Sequence, residues 1–129
     1  MGSMKKDRTY NKLVRDHVPE ILERQGMKPL IRHLEDQEYV YALHEKLKEE
    51  MREYMAGRNI EELADIVEVI NAILNARGIT MEELDHLRKM KAQTNGTFRD
   101  RVFLERVLTP EEAEMLKKAE DDPVFHVQL

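Results

Sequence analysis

The sequence has no cysteine and no tryptophan, and its single serine is Ser3. Without cysteine there is no disulfide framework and no thiolate ligand for a metal. With Ser3 alone, serine nucleophile chemistry is excluded in practice. Aromatic residues make up 5% of the chain, with five glycines and four prolines, too few for the turn-rich pattern of a β-sandwich. No apolar run approaches the roughly 18 to 20 residues of a membrane span, and there is neither a P-loop nor a GxGxxG. Positive charge is also in deficit: 21 Lys and Arg face 26 Asp and Glu, a net charge of −5. Such a chain has no long-range attraction for nucleic acid or for an acidic membrane surface. Its histidines (His17, His33, His44, His86 and His126) are scattered. Only Glu83 with His86 makes an ExxH pair, where a di-iron carboxylate bundle needs two.

What is present is helix-forming. Hydrophobic residues make up 41% and charged residues 36% of 129 residues, the balance of one soluble, all-α domain with a real core. We take that domain as residues 4–129, since Met1-Gly2-Ser3 ahead of Met4 look like a remnant of expression. No secretory signal is visible, so a cytoplasmic location is the expectation. A basic stretch over residues 4–16 leads into a short helix that stops at Gly26, and Pro29 to Leu34 reads as an extended piece. Apolar residues at Val40, Leu43, Leu47, Met51 and Tyr54 then recur every three or four positions, predicting a long helix from an N-cap at Asp36 to about Gly57. Asn59, with Glu62 three residues on, predicts a capped second helix to Arg77, antiparallel to the first across a tight turn. Thr80 with Glu83 opens a third long helix to about Thr94. Thr109-Pro110 opens a fourth, to about Glu120, within a C-terminal extension over 106–129. Val124 to Leu129 alternate weakly and are left unassigned.

Glu50 and Glu53 stand on the first helix of the predicted hairpin, Glu62 and Asp65 on the second, each pair spaced i, i+3 so that it projects from one face. Pairing about a turn centred near 57 and 58 sets Glu53 at the level of Glu62 and Glu50 at the level of Asp65. Four gathered carboxylates repel one another unless a cation lies between them. Oxygen-only ligands, without His or Cys, suit Mg²⁺ or Mn²⁺ and disfavour zinc. Glu50 also borders the apolar stripe rather than the solvent face, three residues after Leu47 and four before Tyr54. Taken singly, each residue has a plainer reading: Glu62 as a capping partner, Glu53 as a surface ion-pair residue, Glu50 as the partner of Lys46. Like-charge neighbours at i, i+4 (Glu45 with Glu49, Glu49 with Glu53, Glu61 with Asp65) count against a purely structural arrangement.

On these residues the chain resembles the all-α, MazG-like nucleoside triphosphate pyrophosphatase superfamily, whose members carry ExxE followed by ExxD on adjacent helices. The corresponding stretch here is KLKEEMREYMAGRNIEELADIVEVI, residues 46–70. Residues 10–19, YNKLVRDHVP, and 89–104, KMKAQTNGTFRDRVFL, are similar to the flanks of a phosphoribosyl-ATP pyrophosphohydrolase-like subgroup. The link between Glu53 and Glu62, eight residues, is shorter than in many members. The resemblance implies metal ligation by Glu50, Glu53, Glu62 and Asp65. It also implies Mg²⁺-dependent cleavage of a nucleoside triphosphate between its α- and β-phosphates; in such a mechanism Glu50 or Glu53 is the candidate to orient or deprotonate the attacking water. It implies, finally, a homodimer or homotetramer acting on canonical or damaged (deoxy)nucleotides, in which the helices read above form an all-α bundle of four to five helices completed by oligomerisation.

Two further expectations come from the residues themselves. Between Arg88 and Arg106 six Lys or Arg face only Asp100 and Glu105, and Lys12 and Arg15 stand near the other end of the chain. Lys12, Arg15, Lys91 and Arg99 are thus the first candidates to clamp a triphosphate, against the alternative of surface salt bridges. Ten of the fifteen residues from Ile60 to Leu74 are apolar, more than one neighbouring helix covers, so self-association is expected. The rival reading is a non-catalytic helical dimer that binds a nucleotide or a protein partner without turnover.

Overall fold

The structure is a computed structural model that describes residues 9–121. Within them are five helices and no strand: α1 (Val18–Arg24), α2 (Asp36–Gly57), α3 (Ile60–Ala76), α4 (Met81–Asn95) and α5 (Pro110–Glu120). The all-α expectation holds. Pro29 to Leu34 form neither helix nor ladder, and the undecided segment 124–129 lies outside the described residues. No described helix is long and apolar enough to cross a membrane. The chain divides at Met90/Lys91 into two compact units, and that boundary falls inside α4.

In the first unit α2 and α3 pack on one another, the one substantial helix-to-helix contact among the described residues. The periodic apolar residues bring this about: Leu43 of α2 and Val69 and Leu74 of α3 are the buried core. Burying side chains of this size stabilises by roughly 1.5–3 kcal/mol each. Only Arg58 and Asn59 link the two helices. Gly57 ends α2 inside the helix, and Arg58 takes the left-handed conformation, φ 57°, that usually falls to glycine. Its N–H donates to the Tyr54 carbonyl at 2.6 Å, closing the last turn of α2.

The caps differ in part from the sequence reading. The residue before α2 is Glu35, extended and with no side-chain cap, so Asp36 lies in the first turn, where its charge suits the helix dipole. Asn59 occupies the N-cap of α3 in an extended conformation, but its side chain makes no cap. The Glu62 N–H instead donates to the Asn59 carbonyl at 3.1 Å, and the expected box between Asn59 and Glu62 does not form. At α4 the Glu83 N–H donates to Thr80 Oγ1 at 3.0 Å, half of the expected box. At α5 the box is complete: the Glu112 N–H donates to Thr109 Oγ1 at 3.1 Å and the Thr109 N–H to Glu112 Oε1 at 3.3 Å.

In the second unit the segment between α4 and α5 turns at Gly96, φ 84°, and at Arg101, φ 58°. It leaves Phe98, Val102, Phe103, Leu104 and Val107 exposed.

Candidate carboxylate metal centre

The hairpin brings Glu50, Glu62 and Asp65 together: one carboxylate oxygen from each lies within 4.8 Å of the other two. Glu50 sits on the inner face of α2, one turn beyond Leu47, because the apolar period that places Leu43 against α3 carries through to position 50. It is 6% exposed, the only buried charged residue among those described. Its Oε2 is buried and has no hydrogen-bond partner. Such an atom is costly, about 1–3 kcal/mol for an unsatisfied polar group and more for a charged one, unless something else meets it. Glu62, free of a capping role, and Asp65, one turn on, project from the facing side of α3.

Glu53, the fourth residue of the expected set, is exposed and stands outside this trio. It still acts on Glu50: burial pushes the Glu50 carboxyl up from the usual carboxylate range, and the nearby Glu53 charge raises it further, against the pull of Lys46.

Cations lie directly on the carboxylates. Lys46 Nζ is 3.4 Å from Glu50 Oε1, one turn back on the same helix. It also donates to Glu49 Oε2 at 3.1 Å. Lys12 donates to Glu49 Oε1 at 2.6 Å, and its ammonium stands 5.6 Å from the centre of the Tyr10 ring. Arg15 Nη2 donates to Asp65 Oδ1 at 2.7 Å. Two of the four residues expected to clamp phosphate, Lys12 and Arg15, thus reach the hairpin and rest on its acidic groups. Lys91 and Arg99 are exposed residues of the second unit.

The residue that sequence reasoning passed over is Glu49. Burial pushes its carboxyl up, but the hydrogen bonds from Lys12 and Lys46 outweigh this and hold it below the usual range. Lys12 is raised in turn, first by its hydrogen bond to Glu49 and then by the charges of Glu49, Glu53 and Glu50. The Lys46 half was legible as an i, i+3 spacing; Lys12, 37 residues away, left no such signal. The like-charge pairs counted against a structural role are also partly compensated, since Glu45 accepts from Tyr41 and pairs with Lys48. Glu62 has no ion pair among the described residues.

Chemically, three convergent carboxylates of which one is buried with an unmet oxygen form a donor set for a hard divalent cation. Lys12, Arg15 and Lys46 beside it can take an anion. Comparison with known proteins adds little to this geometry. No family model and no solved structure matches the chain. A protein of Mycolicibacterium smegmatis (strain ATCC 700084 / mc(2)155), described only as uncharacterized, is 49% identical over 45 residues, which is 35% of this chain and 46% of that protein. The chain therefore spans less than half the length of the relative it matches, and that relative carries no activity to compare.

Proposed function

We propose that the chain is a Mg²⁺-dependent nucleoside triphosphate pyrophosphohydrolase, cleaving between the α- and β-phosphates to release a nucleoside monophosphate and pyrophosphate. The observation that carries this reading is the convergence of Glu50, Glu62 and Asp65 with Glu50 Oε2 buried and unpartnered. The set fits magnesium: its donors are all carboxylate oxygens, and the orphaned oxygen has no protein group to satisfy it. When bound, the ion supplies charge neutralisation at the phosphates and a lowered pKa for attacking water. The chain's own residues do the rest. Lys46 stands 3.4 Å from one oxygen of Glu50, Glu53 lies near the same carboxylate, and Lys12 and Arg15 supply donors for phosphate oxygens. The sequence motif over 46–70 and its resemblance to the MazG-like superfamily support the same chemistry.

Self-association belongs to this reading. On α3, Ile60, Leu63 and Val67 are exposed at i, i+3 and i+7, and on α2 Met51 and Met55 are exposed at i, i+4. These residues lie at the turn end of the hairpin, near the carboxylates, and a second copy packed there completes a bundle.

The test is direct. Purified protein with a panel of canonical nucleoside triphosphates and phosphoribosyl-ATP should release pyrophosphate in Mg²⁺ or Mn²⁺, stop when the metal is chelated, and respond poorly to Zn²⁺. Stoichiometric metal and nucleotide binding with no product from any of them would instead support the non-catalytic helical module.

A further inference from the structure

Arg15 and Lys12 enter the hairpin from the same short segment, yet they hold carboxylates of different standing. Lys12 holds Glu49, which contributes no oxygen to the convergent trio. Arg15 holds Asp65, which does. We propose that Arg15 is a displaceable counterion: a divalent cation competes with it for Asp65, and the guanidinium so released becomes the donor that captures a phosphate. This rests on the metal reading above, and concerns the order in which cation and anion arrive.

Each part follows from the geometry. The contact is a single hydrogen bond, Nη2 to Oδ1 at 2.7 Å, between side chains that keep 57% and 38% of their exposure. A solvent-exposed, monodentate pair of this kind is weak. A divalent cation set among Asp65, Glu62 and the buried Glu50 meets three negative charges, one of them an oxygen with no partner, and prevails at Asp65. Lys12 is not in that competition. Pinned to Glu49 and lying against Tyr10, it keeps the segment docked while Arg15, three residues on, is set free. The guanidinium then stands beside the cation with its planar fork of donors unpaired, the shape that matches two phosphate oxygens. Cation and anion binding are thereby coupled: without the cation, Arg15 is spent on Asp65, and without Arg15 the cation gains an easier entry but loses a partner for its anion.

The experiment uses the full chain, Mg²⁺ alone, and then Mg²⁺ with inorganic pyrophosphate. The side-chain Nε–H resonance of Arg15 should shift and exchange faster with water as Mg²⁺ is added, while the amide resonances of Lys12 and Leu13 stay in place. By calorimetry Arg15→Gln should bind Mg²⁺ about threefold more tightly, the scale of losing one exposed competing pair. The same variant should bind pyrophosphate, in saturating Mg²⁺, about tenfold more weakly, the scale of one charge-assisted contact. Arg15→Lys should fall between on both. An unchanged Arg15 resonance while Mg²⁺ binds, or a variant that loses both affinities together, overturns the exchange and leaves the metal centre standing. Absence of Mg²⁺ binding by the unaltered chain overturns the metal centre and the exchange with it.

Discussion

Adjacent glutamates of one helix face opposite electrostatic conditions. Glu50 has its carboxyl raised by burial and by Glu53. A raised carboxyl favours the fold below its ordinary range, and that contribution is lost as pH rises through the elevated value. Above that elevated value an ionised Glu50 is a liability to the metal-free fold. Glu50→Gln should therefore leave the metal-free Tm unchanged or raise it by about 2 °C, since Lys46 keeps Glu49 as its partner. The difference from the unaltered chain should close in acid. Pyrophosphate release should fall by orders of magnitude; near-normal turnover would remove Glu50 from the site. Glu49 is the mirror case, held low by Lys12 and Lys46 against its burial. Its contribution is present above the ordinary carboxylate range and is lost as pH falls through the depressed value. Glu49→Gln should thus cost about 0.5–1 kcal/mol at neutral pH, the range of a partly exposed pair, and almost nothing in acid. A pH series of thermal melts on the two variants checks both signs. Glu50's burial was legible in the sequence, because its spacing from Leu47 and Tyr54 fixes its helix face. The Arg15–Asp65 pair was not: the residues are 50 positions apart, and no local period connects them.

At the scale of elements, α2 followed from its apolar period, and α3, α4 and α5 from cap residues and Gly and Pro punctuation, and the four lie within a few residues of those signals. Cap chemistry was less legible. Asn59 sits where a cap should and does not cap, because its side chain lies back toward Gly57: a Cβ built on Gly57 would stand 3.3 Å from Asn59 Nδ2. That displaced cap leaves Glu62 free for the carboxylate trio. Gly57 itself is helical, and the atom its Cβ would meet is the far end of an exposed side chain. Gly57→Ala should then stabilise by about 0.5–1 kcal/mol, through helix propensity and a less flexible unfolded chain. Arg58→Gly should add a similar amount, about 0.5–1 kcal/mol, by relieving the left-handed conformation of a residue with a Cβ. Denaturant midpoints with an unchanged m-value would confirm both; loss of stability in Gly57→Ala would show that Asn59 cannot yield.

For the molecule as a whole, composition announced a helical protein, but not the division at Met90/Lys91. The helical pattern runs unbroken to Asn95, so nothing in the local sequence marks the boundary. The apolar excess of α3 was legible, but the wide arc expected to need a partner, Ile66, Val69, Ile70, Ile73 and Leu74, is buried or half-buried, and the large apolar residues of α3 left exposed are Ile60, Leu63 and Val67. Light scattering at micromolar concentration should show a dimer or tetramer, and Leu63→Glu with Val67→Glu should shift it toward monomer without displacing the buried Leu43, Val69 and Leu74. A monomeric unaltered chain would contradict the proposed bundle.

The shortness of the Arg58-Asn59 link has one more consequence. Glu50, Glu62 and Asp65 are brought into register by the packing of Leu43 against α3, and the link only has to reach. Lengthening a flexible connection costs little, about 0.6 kcal/mol per doubling by loop-closure entropy. Four Gly or Ser residues inserted between Arg58 and Asn59 should therefore leave Mg²⁺ affinity intact. A loss of Mg²⁺ affinity in that insertion would show that the link itself, and not only the packing of α2 on α3, sets the register of the three carboxylates.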